Sequence, residues 1–328
     1  MLIEQNVRID KKINLGIQVL RMVLCFWVLC YHCLDDNNIN YFLFFITKTK
    51  FYHVPCFCFI SFYFSYKIFV LPNSFKVKRR IERLLIPYII WPLLIFLIHN
   101  ILFKEKILLH DLLIQLIFGR KFIGPLWYLF SMIFQTIFLY ISSYIFKSYF
   151  IYFILIISFF SYCAQYSYFY DLLNNYTNNV RLPLLDTLNL LPISILGITL
   201  ASNKIFETTK SKILFFIFSF IFLFFILKND IFVDLGGYKG IIYIFTSLLL
   251  FIGFYFLPFD NLYPLTQNLI KQITNFTNGI YCLHIRFIII LGLPGTMKSC
   301  VIIYLISYLI SFIGLKLLGK TKLKYLFI

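Results

Sequence analysis

A chain of 328 residues that is 61% hydrophobic, 21% aromatic and only 13% charged cannot hide its apolar surface inside a water-soluble core, since ordinary soluble proteins carry about 25% charged residues. Its formal net charge of +17 comes from Lys and Arg scattered between apolar runs, which excludes a continuous basic stripe for nucleic acid. What the numbers leave is an all-α polytopic protein whose solvent is lipid and whose basic residues mark cytoplasmic loops.

A bilayer core about 30 Å thick takes roughly 20 apolar residues per helix. Runs of that kind place ten spans near 15–34, 52–71, 84–103, 125–146, 149–169, 183–201, 212–228, 239–257, 274–293 and 299–318. The opening "MLIEQNVRIDKKINLGIQVLRM" lacks a short apolar core followed by a small-residue cleavage site, so the first span is expected to act as the targeting signal. Between the third and fourth spans, 104–124 is too polar to cross. It holds "ILLHDLLIQLIF", with apolar residues at helical spacing, and is expected to be an amphipathic helix at the outer interface. No linker or internal repeat divides the chain, so 1–328 reads as one transmembrane domain. With the N-terminus inside, the cytoplasmic connections hold Arg8, Lys11 and Lys12, then Lys76 to Arg83, and later Lys316 to Lys324, while acids offset most bases in the opposite loops. Both termini are therefore expected in the cytoplasm.

The first span carries "RMVLCFWVLCYHC". Eleven residues at 100° each make about 1,100°, so Arg21 and His32 share one helix face and lie about 16 Å apart along it. Taken singly, Arg21 could snorkel to the headgroups and His32 could be an ordinary helix-end histidine; sharing a face favours a functional pair, because ionisable groups within a span are costly. Arg80 and Arg83, three residues apart at the start of the third span, suit either phosphate recognition or simple basic anchoring. Ser61 is a lone hydroxyl among aromatics, for which a bond to its own helix is the plain reading. Trp127 and Tyr128 open the fourth span as an aromatic belt or more. His284 and Arg286 lie deep in the ninth span and are candidates for a site. His53, His99 and His110 find no convincing partner in the sequence. Eight cysteines show no disulfide framework. "CYHC" offers three ligands at best where structural zinc takes four, and no βαβ context supports redox chemistry, so neither a metal site nor a redox site is expected.

Taken in order, these pieces resemble the acyltransferase-3 family of integral-membrane O-acyltransferases. "LRMVLCFWVLCYH" resembles its first-helix Arg and His, "VPCFCFISFYFSYK" its Pro- and Phe-rich second helix, and "RRIERLLIPY" its Arg-x-x-Arg element. "PLWYL" and "NGIYCLH" resemble two later helices. Phe62 stands where the family usually has Gly. The resemblance implies transfer of an acyl group, usually acetyl, from cytoplasmic acyl-CoA to a hydroxyl of a surface glycan or lipid-linked sugar. No tightly bound cofactor is implied, and acetyl-CoA is a substrate. It further implies His32 as general base, Arg21 as a donor-side cation, and Arg80 and Arg83 as acyl-CoA-binding residues. Ser61, Trp127 and His284 would be acceptor-side or supporting groups. The bacterial cytoplasmic (inner) membrane is the expected location. The rival reading is a polytopic glycan transporter, flippase or polymerase, which would spread charge over many helices; here it concentrates on spans one, three and nine.

Overall fold

The computed structural model describes residues 14–33, 53–102, 106–119, 126–164, 183–203, 217, 221, 241–257, 259–292 and 296–327. Every regular element among them is helical. In chain order these are α1 (Leu15–Cys33), α2 (His53–Val70), α3 (Ser74–Leu102), α4 (Leu109–Phe118), α5 (Trp127–Phe146) and α6 (Phe150–Ala164). There follow α7 (Pro183–Ser202), α8 (Ile241–Tyr255), α9 (Pro264–Thr274), α10 (Thr277–Leu291) and α11 (Met297–Leu318). Short 3-10 helices lie at Lys147–Tyr149, Phe259–Asn261 and Lys322–Leu326.

A helix falls within nine of the ten expected spans; the tenth, 212–228, lies outside the described residues apart from 217 and 221. Five helical stretches among the described residues are long and apolar enough to cross a bilayer: Leu15–Cys33, His53–Val70, Ser74–Ile101, Trp127–Ala164 and Met297–Leu318. Asp186–Ser202 and Tyr243–Tyr255 are apolar but shorter. Two elements differ from the sequence reading. Helix α3 starts at Ser74, ahead of the expected 84, because the Asn73 side chain accepts from the Lys76 amide at 3.0 Å and starts the helix. Helix α9, Pro264–Thr274, lies in the connection between the eighth and ninth expected spans; its length and polarity hide it from a search for spans, yet Pro264 stands at its first turn.

The helices invert the soluble pattern. On α5, Ser131, Gln135, Thr136, Ser142 and Ser143 are buried, while Ile141, Tyr144 and Ile145 face outward. Lipid tails are as apolar as leucine, so helices associate through close packing and polar contacts. Thr136 donates to the Met132 carbonyl at 2.7 Å and Ser143 to that of Tyr140 at 2.7 Å, satisfying hydroxyls that lipid cannot. Helix α4 behaves likewise: Leu112 and Gln115 are buried, Leu109, Leu113 and Ile117 are exposed, and Gly119 ends it at a φ of 77°.

The α2–α7 pair packs closely. A Cβ at Gly197 would lie 2.8 Å from the Phe59 carbonyl oxygen, so only glycine lets α7 approach so near. Phe251 of α8 closes this core against Phe59 and Tyr63, with ring centroids 4.8 and 4.7 Å away. Helix α1 is central, packing against α2, α8, α9, α10 and α11. At the other end of the chain Phe327 packs against Gly279 and Gly314 and meets Trp91 edge-on at 6.1 Å.

Candidate functional site

Helices α1 and α10 carry the site. Near its start α1 places Arg21 half-buried, donating to Gln18 Oε1 at 3.3 Å and to Thr277 Oγ1 at 3.1 Å. The Cys25 thiol donates to the Thr277 carbonyl at 3.4 Å. At the far end of α1 the His32 ring lies 5.5 Å from that of His284. Position numbers rise together along both helices, so α1 and α10 run parallel. The face shared by Arg21 and His32 is thus the face that meets α10.

At the His32 end the structure assembles three histidines. His53, the first residue of α2, interacts electrostatically with both His32 and His284, and the Tyr31 ring lies 4.9 Å from His32 and 6.4 Å from His53. His53 and His284 are buried, whereas His32 is exposed. His284 Nδ1 is 3.3 Å from the Ile280 carbonyl oxygen. A carbonyl can only accept, so the neutral ring carries its proton on Nδ1 and leaves Nε2 as an acceptor. That Nε2, and Nδ1 of His53, are buried without a hydrogen-bond partner among the described residues. Buried polar atoms are ordinarily satisfied, so these two are open to a hydrogen-bonding group beyond the described residues. The sequence held no sign of His53's part, because α2 meets α1 and α10 only through the tertiary fold.

A line of aromatic rings joins the two ends. Tyr281 stands 5.9 Å from His284, 5.7 Å from Tyr128 and 6.2 Å from Phe57, centroid to centroid. Tyr128 in turn lies within electrostatic reach of both Arg21 and Arg80. Trp127 is buried, with an edge contact to Tyr128 at 6.5 Å, so it belongs to the core and not to a lipid-facing belt.

Arg80 and Arg83 have different surroundings. Arg80 donates from Nε to Thr136 Oγ1 at 3.0 Å, from Nη2 to Ser61 Oγ at 3.0 Å, and from Nη1 to Ser65 Oγ at 2.5 Å and the Ser61 carbonyl at 3.5 Å. Its guanidinium also lies 4.7 Å from the Phe62 ring centroid, a cation–π contact. Phe62 thus forms the floor beneath this arginine. Ser61 accepts from Arg80, which places it on the arginine side of the bundle and away from the histidines. Arg83 is exposed and lies 5.6 Å from the Tyr325 ring. The arginine pair therefore does not form one fork open to a phosphate: Arg80 clamps α2, α3 and α5 together, and Arg83 faces outward.

Cys30, Cys33 and Cys300 pack together where α1 meets α11. Among the described residues no group of three or more His, Cys, Asp or Glu is placed to hold a metal ion. The Arg286 side chain lies outside the described set.

A cation-lined end and a histidine-lined end, joined along one pair of helices by aromatic rings, can hold an anionic group at one side and take a proton from a hydroxyl at the other. No curated protein and no solved structure matches the chain significantly. The family profile described as "Acyltransferase domain" matches residues 14–326, nearly the whole length. The chain is a helical membrane protein that belongs to the acyltransferase-3 family.

Proposed function

We propose that this protein transfers an acetyl group from cytoplasmic acyl-CoA to a hydroxyl of a surface or lipid-linked saccharide, within the cytoplasmic membrane of a bacterium. The observation that carries the reading is the placement of Arg21 and His32 at opposite ends of one α1 face, each against α10. Ten spans with both termini inside would make α1 and α10 the first and ninth crossings, which must run parallel, and the parallel packing of these helices supports that arrangement.

In this reading His32 takes the proton of the acceptor hydroxyl, whose oxygen attacks the thioester carbonyl. The carbon–sulfur bond then breaks, the ester forms, and the proton passes to the departing thiolate, giving CoA–SH. His284, held by Ile280 with Nε2 bare, accepts from a second acceptor group or steadies the His32 ring. Arg21, about three helical turns from His32, lies too far from the reacting carbonyl to touch it and orients the remote part of the donor as a cation at the donor-side end. Arg83, exposed and basic, meets the CoA phosphates, while Arg80 keeps the three helices around it in register. A transporter, flippase or polymerase would not need this base-and-cation pair, and membership of an acyltransferase family argues against it.

His32→Ala should abolish ester-linked acyl groups on the purified surface polysaccharide, read by NMR, with normal insertion and expression. General-base contributions are typically about 10²–10⁴-fold. Full acylation in that variant would end the assignment of His32 as base.

A further inference from the structure

The thiols at the far end of α1 take no part in the reaction just described, yet they form the one feature of "CYHC" that the chemistry leaves unexplained. Cys30 and Cys33 are three residues apart on α1, hence neighbours on one face. Cys300, in the first turn of α11, packs against them in a small cluster closed by Leu29 and Ile303. The thiols of Cys33 and Cys300 share a hydrogen bond, and Cys300 bonds to Cys30 as well. All three are free thiols in the structure. The third sulfur comes from far along the chain, so nothing in the spacing of "CYHC" announces it.

We propose that Cys33 and Cys300 form a disulfide that staples the outer end of α1, the end carrying His32, to α11. The inference goes beyond the acyl-transfer reading and uses from it only the orientation that puts this end outside the cytoplasm, where disulfides persist. Cys33 is the bridging partner because it is the last residue of α1, where backbone can adjust, and because it is 7% exposed while Cys30 and Cys300 are fully buried. A disulfide tolerates only close approach of the two side chains, and a pair already in thiol–thiol contact meets that condition. The oxidant is a small-molecule or protein disulfide. The Cys33 thiolate attacks one of its sulfurs and releases the first thiol; the Cys300 thiolate then attacks the Cys33 sulfur and releases the second. Two electrons pass to the oxidant, and the two protons lost by the cysteines end on its thiols.

The test uses full-length protein in native membranes, denatured in SDS with N-ethylmaleimide to cap free thiols, then digested and mapped by mass spectrometry with and without reductant. A Cys33–Cys300 peptide is expected in untreated membranes. It should survive in Cys30→Ser and be missing in Cys33→Ser and in Cys300→Ser. Three results would each overturn the proposal: Cys33 and Cys300 both capped in untreated membranes, a link seen only after copper-phenanthroline treatment, or a link from Cys300 to Cys30. A reporter fused at the N-terminus checks the orientation separately, so an error there is distinguishable from an error in the pairing.

Discussion

Arg80 shows how a residue type can be read correctly and its task still depend on its neighbours. A guanidinium offers five donors in a planar fork, and here Thr136, Ser61 and Ser65 take up that fork from two other helices. Lysine has three donors on a compact head and cannot reach all of these groups at once. Arg80→Lys is therefore expected to lower thermal stability in detergent, since each hydrogen bond to a charged group contributes about 1.5–3 kcal/mol. Arg83→Ala should leave stability unchanged and weaken acyl-CoA binding, measured by titration of the purified protein. Equal stability in the two variants would argue against the clamp, and unchanged binding in Arg83→Ala would return that residue to membrane anchoring. The histidines make the same point. His32 and His284 were legible because ionisable groups in apolar runs stand out, whereas His53 sits at the start of its helix, where a polar residue is ordinary.

Among the elements, the α2–α7 pair depends on one absent side chain. The close approach of the two helices leaves 2.8 Å between the Phe59 carbonyl oxygen and any Cβ at position 197, so Gly197→Ala forces the helices apart by a few tenths of an ångström. Overpacking of this kind costs about 1–3 kcal/mol. A fall in the unfolding midpoint is expected, larger for Gly197→Val; equal midpoints for all three proteins would show that α7 yields freely. Helix positions were readable because a long apolar run has few alternatives to a helix in lipid. The α3 extension and α9 were not, since both are polar enough to remain at the membrane surface, and their helicity rests on a cap at Asn73 and a proline at 264 that a hydropathy window averages away.

At the scale of the whole molecule the decisive quantity is orientation. Reporters active only outside the cytoplasm are expected to work when fused at Asp36 and to fail when fused at Asn73, with a cytoplasm-dependent reporter active at the C-terminus. The opposite pattern would reverse the assignment of donor and acceptor ends. That the chain lives in lipid follows from composition, because no fold of this size could bury so much apolar surface in water. The helical class follows too, since a helix satisfies its own backbone in lipid. So does the shared face of Arg21 and His32, which needs only the 100° step of a helix. Packing alone decides the rest: His53 beside His32 and His284, Arg80 turned inward onto Ser61 and Thr136, and Cys300 against Cys33. Those contacts join residues far apart in the chain, and pairing between distant helices leaves no periodic trace along any one of them.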